Sequence, residues 1–163
     1  MKKTILISFL LVVVLMFNGC FLFPSKSDIV DTAIENGNFT TLVTALTAAG
    51  LVETLRGAGP FTVFAPNDAA FAKIDPTALA NLIADVPALT KVLLFHVVSG
   101  EYLAADVVGM TMLTSVEGST LNITVAGSTV QIENATITLT DIECSNGVIH
   151  VIDTVMIPPT VAM

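Results

Sequence analysis

The feature that most constrains this chain is Asn146-Gly147-Val148-Ile149-His150-Val151-Ile152-Asp153-Thr154-Val155-Met156-Ile157-Pro158, an almost unbroken apolar run near the C-terminus. No helical stripe of period 3.6 can be drawn through it. Asn146-Gly147 supplies a turn before it and Pro158-Pro159 ends it, so it reads as a strand buried on both faces. Side chains alternate along a strand, so Val148, His150 and Ile152 are expected on one side and Ile149, Val151 and, beyond a polar break, Val155 on the other. The rest of the chain must supply a packed layer for each side.

The preceding third supplies strands. Leu121, Ile123 and Val125 alternate with Asn122 and Thr124, and Val130 and Ile132 with Gln131 and Glu133. Ile137 and Leu139 alternate with threonines, and Gly127-Ser128 and Asn134 mark the turns. Period-two alternation predicts an antiparallel meander with those apolar residues inward. Earlier still the period is helical. Ser27 or Asp28 can cap a helix through Ile29, Val30, Ala33 and Ile34, and Asn38 can cap one through Phe39, Leu42, Val43 and Leu46. Asp75-Pro76 and Asp85-Val86-Pro87 open two more helices. Residues 61–65 read as a short strand followed by a helix capped by Asn67 or Asp68, and residues 95–98 as another strand. Helices first and strands second make an α+β chain.

Three stretches, in order, carry a resemblance to a known family: Gly59-Pro60-Phe61-Thr62-Val63-Phe64-Ala65-Pro66-Asn67-Asp68-Ala69-Ala70-Phe71, Leu93-Leu94-Phe95-His96-Val97-Val98-Ser99-Gly100, and the run from Asn146 to Pro158. Together they resemble the fasciclin domain, a secreted or surface-anchored adhesion module. The resemblance implies a wedge-shaped β-sandwich covered by several short N-terminal helices, over residues 28–159. It also implies structural roles for Asn67, Asp68, Asn146, Gly147, His150 and Asp153. In animal fasciclin domains an Asp-Ile pair just before the C-terminal signature is implicated in integrin binding, and Asp141-Ile142 occupies that place. A Tyr-His pair in the central motif is similarly implicated; here it is Phe95-His96, without the hydroxyl.

The N-terminus reads as an address rather than as fold. Lys2-Lys3 and the apolar residues 5–17 have the charged and hydrophobic regions of a secretory signal, and the run is shorter than the about 20 residues that span a bilayer. Asn18-Gly19-Cys20 then resembles the end of a bacterial lipoprotein signal. Residues 1–19 are therefore expected to be a signal peptide, Cys20 to carry palmitate or a similar lipid, and residues 20–27 to be a short tether. Two alternatives stay open, an uncleaved anchor helix and a Cys20–Cys144 disulfide. The leader also inflates the mean hydropathy of +0.84.

Without Lys2 and Lys3, four basic residues face fourteen acidic ones. Such a surface repels phosphate backbones and argues against nucleic-acid partners. His96 and His150 are the only histidines. Both fall in segments read as buried strands, and they are expected to be core imidazoles with backbone or hydroxyl partners rather than metal ligands. No Gly-x-Ser-x-Gly, phosphate loop, His-Glu-x-x-His or Cys-x-x-Cys is present. No enzyme, metal or cofactor is expected. The expected role is non-catalytic binding in the cell envelope, facing outside the cytoplasm, to a surface or matrix protein or polysaccharide. The alternative is a carrier for a small apolar ligand or lipid in a groove between helices and sheet.

Overall fold

Short polar side chains start most of the helices. Asp28 accepts the Asp31 N–H at 2.8 Å and starts α1 (Ile29–Asn36), which Gly37 ends at φ 74°. Asn67 accepts the Ala70 N–H at 2.8 Å and starts α4 (Asp68–Phe71). Asp75 caps α5 (Pro76–Ala84) and Asp85 caps α6 (Val86–Phe95), the chain bending by 104° between them. Each cap satisfies amide groups that the first helical turn leaves free. The computed structural model describes residues 26–161. Its remaining elements are α2 (Thr40–Ala48), α3 (Val52–Arg56), β1 (Phe61–Pro66), β2 (Val97–Ser99), α7 (Ala104–Val108), β3 (Met112–Thr114), β4 (Thr120–Ala126), β5 (Thr129–Ile132), β6 (Ala135–Cys144) and β7 (Gly147–Ile152).

The strands form one sheet in the order β2-β1-β7-β6-β5-β4-β3. Strand β7 lies inside it, parallel to β1 and antiparallel to β6, and all six of its residues are buried. Its two faces serve two cores. Ile149 and Val151, with Val155 beyond the strand, join Ile29, Leu42, Leu46 and Leu93 of the helices. Ile152 joins Phe64, Val98, Leu113, Leu121, Ile132 and Ala135, one residue from each of the other strands, together with Val107 of α7. A core to which every strand contributes requires a sheet curved around it. The bridge between Val98 and Ser115 draws β2 and the end of β3 together, so the sheet is nearly closed. The α+β architecture and the two layers about β7 are those anticipated from sequence.

Three local expectations fail. Phe95 and His96 are not in a strand: α6 runs through Phe95, His96 ends it, and β2 starts at Val97. Within α6, Leu89, Val92 and Leu93 are buried in the helical core and Phe95 in the core enclosed by the sheet, and the His96 ring bonds back to the Val92 carbonyl, so the helix outlasts the β-favouring composition. The predicted burial of Val125 and Leu139 also fails, for they are 42% and 53% exposed. The register of β6 against β7 slips between Ile137 and Leu139 and again between Leu139 and Ile142, and each extra residue breaks the simple alternation. Val125 lies in the part of the β4–β5 hairpin that β6 does not pair with. Finally, Asn38 does not cap α2. Phe39 takes that position with its ring in the core, and the Asn38 amide turns to Asn36.

Candidate functional site

The polar residues of the three motifs converge on backbone groups. Asn146, in the β6–β7 turn, accepts the Ile29 N–H at 3.0 Å and donates to the carbonyls of Leu55 at 2.7 Å and Gly57 at 3.1 Å. Its own carbonyl accepts the Phe61 N–H at 3.1 Å. The side chain therefore joins the start of α1 to the end of α3, and the backbone of the same residue holds the start of β1. Asn146→Ala removes all three side-chain bonds and is expected to cost about 2 kcal/mol, since buried polar groups lose their partners. Urea unfolding would check this, an unchanged midpoint refuting the clamp.

Asn67 and Asp68 act together on two helices. While Asn67 caps α4, the Asp68 carboxylate accepts the N–H groups of Thr40 at 3.3 Å and Thr41 at 2.8 Å, capping α2 from 28 residues away. The Asp68 N–H returns a bond to the Asn38 carbonyl. Burial pushes the Asp68 pKa up, but the bonds from Thr41 and Thr40 outweigh it and hold the carboxyl below its ordinary value. Asp153 does similar work at the far end of β7. It accepts the Thr136 N–H at 2.9 Å and faces Lys73 at 3.4 Å, and the Thr136 bond is the chief cause of its lowered pKa.

Both histidines are buried and fully engaged. His96 Nδ1–H donates to the Val92 carbonyl at 2.7 Å, leaving Nε2 to accept the Met156 N–H at 3.0 Å. The bond pattern requires a neutral ring, and burial accordingly pushes its pKa down to about 4, against the Val92 bond, which raises it. His150 stacks on Phe64 with ring centroids 5.6 Å apart, donates from Nε2 to the Tyr102 carbonyl at 2.8 Å, and accepts the Asp141 N–H at Nδ1. Such rings have no nitrogen left for a metal. Among the described residues no group of three His, Cys, Asp or Glu side chains could hold an ion.

The two pairs linked to adhesion differ in exposure. Phe95 and His96 are each 2% exposed, so neither offers a partner any surface in this conformation. Asp141 is exposed, at φ 58° within the second register slip of β6, and its carboxylate accepts the Ala104 N–H at 2.8 Å at the start of α7. Ile142 is half-buried and packs on the helical core. Asp141 therefore has a structural task as well as an outward face. Sequence reading missed two participants: α7 itself, and Thr62, a buried hydroxyl that donates to the Gly100 carbonyl at 2.7 Å and accepts the Tyr102 N–H at 2.9 Å. A lone Thr in an apolar strand carries no signal of such a bridge.

Cys144 is buried: its thiol contacts Thr32 Oγ1 at 3.4 Å, and burial pushes its pKa up. Cys20 and the signal segment lie outside the described residues. Between the helices and the sheet is an apolar cavity of about 20 Å³, walled by Val30, Leu42, Leu46, Val63, Leu93 and Ile149 among others, with room for roughly one water molecule.

An α+β domain with one parallel strand pair at the heart of a nearly closed, otherwise antiparallel sheet is a distinctive class, and comparison with known proteins agrees on which. The chain belongs to the Fasciclin domain family, whose family model matches residues 37–158. It is 45% identical over 130 residues to the uncharacterised protein sll1735 of Synechocystis sp., covering 80% of this chain and 97% of that one. It is 29% identical over 140 residues to the cell surface glycolipoprotein MPB83 of Mycobacterium bovis, covering 83% and 62% respectively. Its fold matches a FAS1 domain pair from the insect cell adhesion molecule fasciclin I with a TM-score of 0.61 at 20% identity, over 75% of this chain and 46% of that one.

Proposed function

We propose that this protein is exported, acylated at Cys20 and held at a membrane, where its Fasciclin domain is a non-catalytic binding module for a surface or matrix protein or polysaccharide. The observation that carries this reading is how the domain uses its polar groups. Asn67, Asp68, Asn146, His96 and His150 all serve backbone bonds within the fold. Recognition then falls to the outer surface. The core cavity has room for no more than roughly one water, which favours a surface binder over a carrier of lipid. The leader pattern ending at Cys20, and the lipoprotein and adhesion names of two similar proteins, support the anchor and the role.

Two experiments test it. Labelled palmitate is expected in the wild-type chain and not in Cys20→Ala; equal labelling would remove the lipid anchor. In a pull-down from cell surfaces with the domain from Asp28 onward, Asp141→Asn keeps the bond to Ala104 and tolerates positive φ while removing the charge. Loss of capture with unchanged stability would place recognition at Asp141, and retention would place it elsewhere on the surface. A bare domain that captures nothing would refute the binding module.

A further inference from the structure

The first described residues are fastened to one end of the sheet. Lys26 pairs with Glu143, the Ser145 N–H donates to the Ser27 carbonyl at 3.0 Å, and the Ile29 N–H bonds Asn146. These partners form the end of β6 and the β6–β7 turn. Strand β1 starts and β2 ends beside that turn, because Phe61 is in register with both Gly147 and Ser99. Together they make one pole of the domain. Strand β6 leads away from it for ten residues, roughly 30 Å, so Asn134 stands at the other pole, next to Thr136 and Asp153.

Cys20 is six residues before Lys26, and six residues reach at most about 20 Å when fully extended. A lipid on Cys20 therefore brings the Lys26–Glu143 pole close to the bilayer. Charge opposes the domain's lying flat there. Apart from Lys2 and Lys3 the chain carries four basic against fourteen acidic residues, so lying flat would bring more of that acidic surface to the lipid than standing on one pole does. Anionic headgroups repel such a surface over a Debye length.

We infer that the acylated protein stands on an anionic bilayer with its Lys26–Glu143 pole toward the lipid and its Asn134–Asp153 pole outward. This rests on the acylation proposed above. The test uses the full lipidated chain in a Cys144→Ser background, with a fluorophore on either Ser145→Cys or Asn134→Cys, both exposed positions at opposite ends of β6. The chain is bound to phosphatidylcholine–phosphatidylglycerol vesicles carrying a nitroxide quencher on their headgroups. Quenching is expected to be several-fold stronger at position 145 than at 134, with a soluble quencher acting alike on both. Membrane-bound protein quenched equally at the two positions, or more at 134, overturns the orientation and leaves the anchor standing. A chain that carries no lipid and does not bind the vesicles overturns both.

Discussion

Gly147→Ala is expected to lose more than about 4 kcal/mol or fail to fold, in the range reserved for a few severe mechanisms. A Cβ at Gly147 would lie 2.0 Å from the Phe61 carbonyl oxygen and 2.8 Å from its carbon. Both are backbone atoms of the strand that pairs with β7 in parallel, so relief would require separating β1 from β7 along their shared register. Gly59 shows the same closeness from the other side, with a Cβ 2.0 Å from the Asn146 carbonyl oxygen. The internal comparison is Gly127→Ala. Gly127 has φ +63° and nothing within 4 Å, so only the left-handed backbone resists the change, at about 1 kcal/mol. Thermal and urea unfolding of the two variants should separate them widely. Similar losses would mean that β1 and β7 do not approach as closely as described.

Acid should weaken the fold well above the range in which its carboxylates titrate. His96 is neutral in the folded state, with a pKa pushed down to about 4 from an ordinary 6.5. The unfolded chain takes up a proton first, so the contribution of this ring is complete above about pH 6.5 and is lost as pH falls toward 4. A difference of about 2.5 pH units corresponds to roughly 3 kcal/mol. Protonation would place a donor at Nε2, where the Met156 N–H already points, and would charge a ring inside the core. Asp68 and Asp153 act lower: their pKa values are depressed below 3.8, so the stability they bring is lost only as pH falls below that range. Urea midpoints measured from pH 7 to pH 4 should therefore fall for the wild type and much less for His96→Gln. A flat wild-type profile would contradict the buried neutral ring.

The sequence determined what depends on local chemistry and periodicity. The run through Val148–Ile152 could be only an interior strand, and its alternation assigned Ile149, Val151 and Val155 to one core and Ile152 to the other. Asp75 and Asp85 were readable as caps, and the first cap was narrowed to Ser27 or Asp28, because a cap acts within three residues of itself. What acts across the chain was not readable. The Asp68 carboxylate caps a helix that starts 28 residues earlier, the Asn146 side chain ties together two elements 89 to 117 residues upstream, and Thr62 links β1 to Tyr102. The slips in β6 that turn Leu139 outward and set Asp141 at positive φ depend on pairing with β7, which no alternation within β6 reveals. Hydrophobic period fixes which face of an element is buried. Which backbone groups remain to be satisfied, and by which distant side chain, is settled only when the elements have packed and excluded water from them.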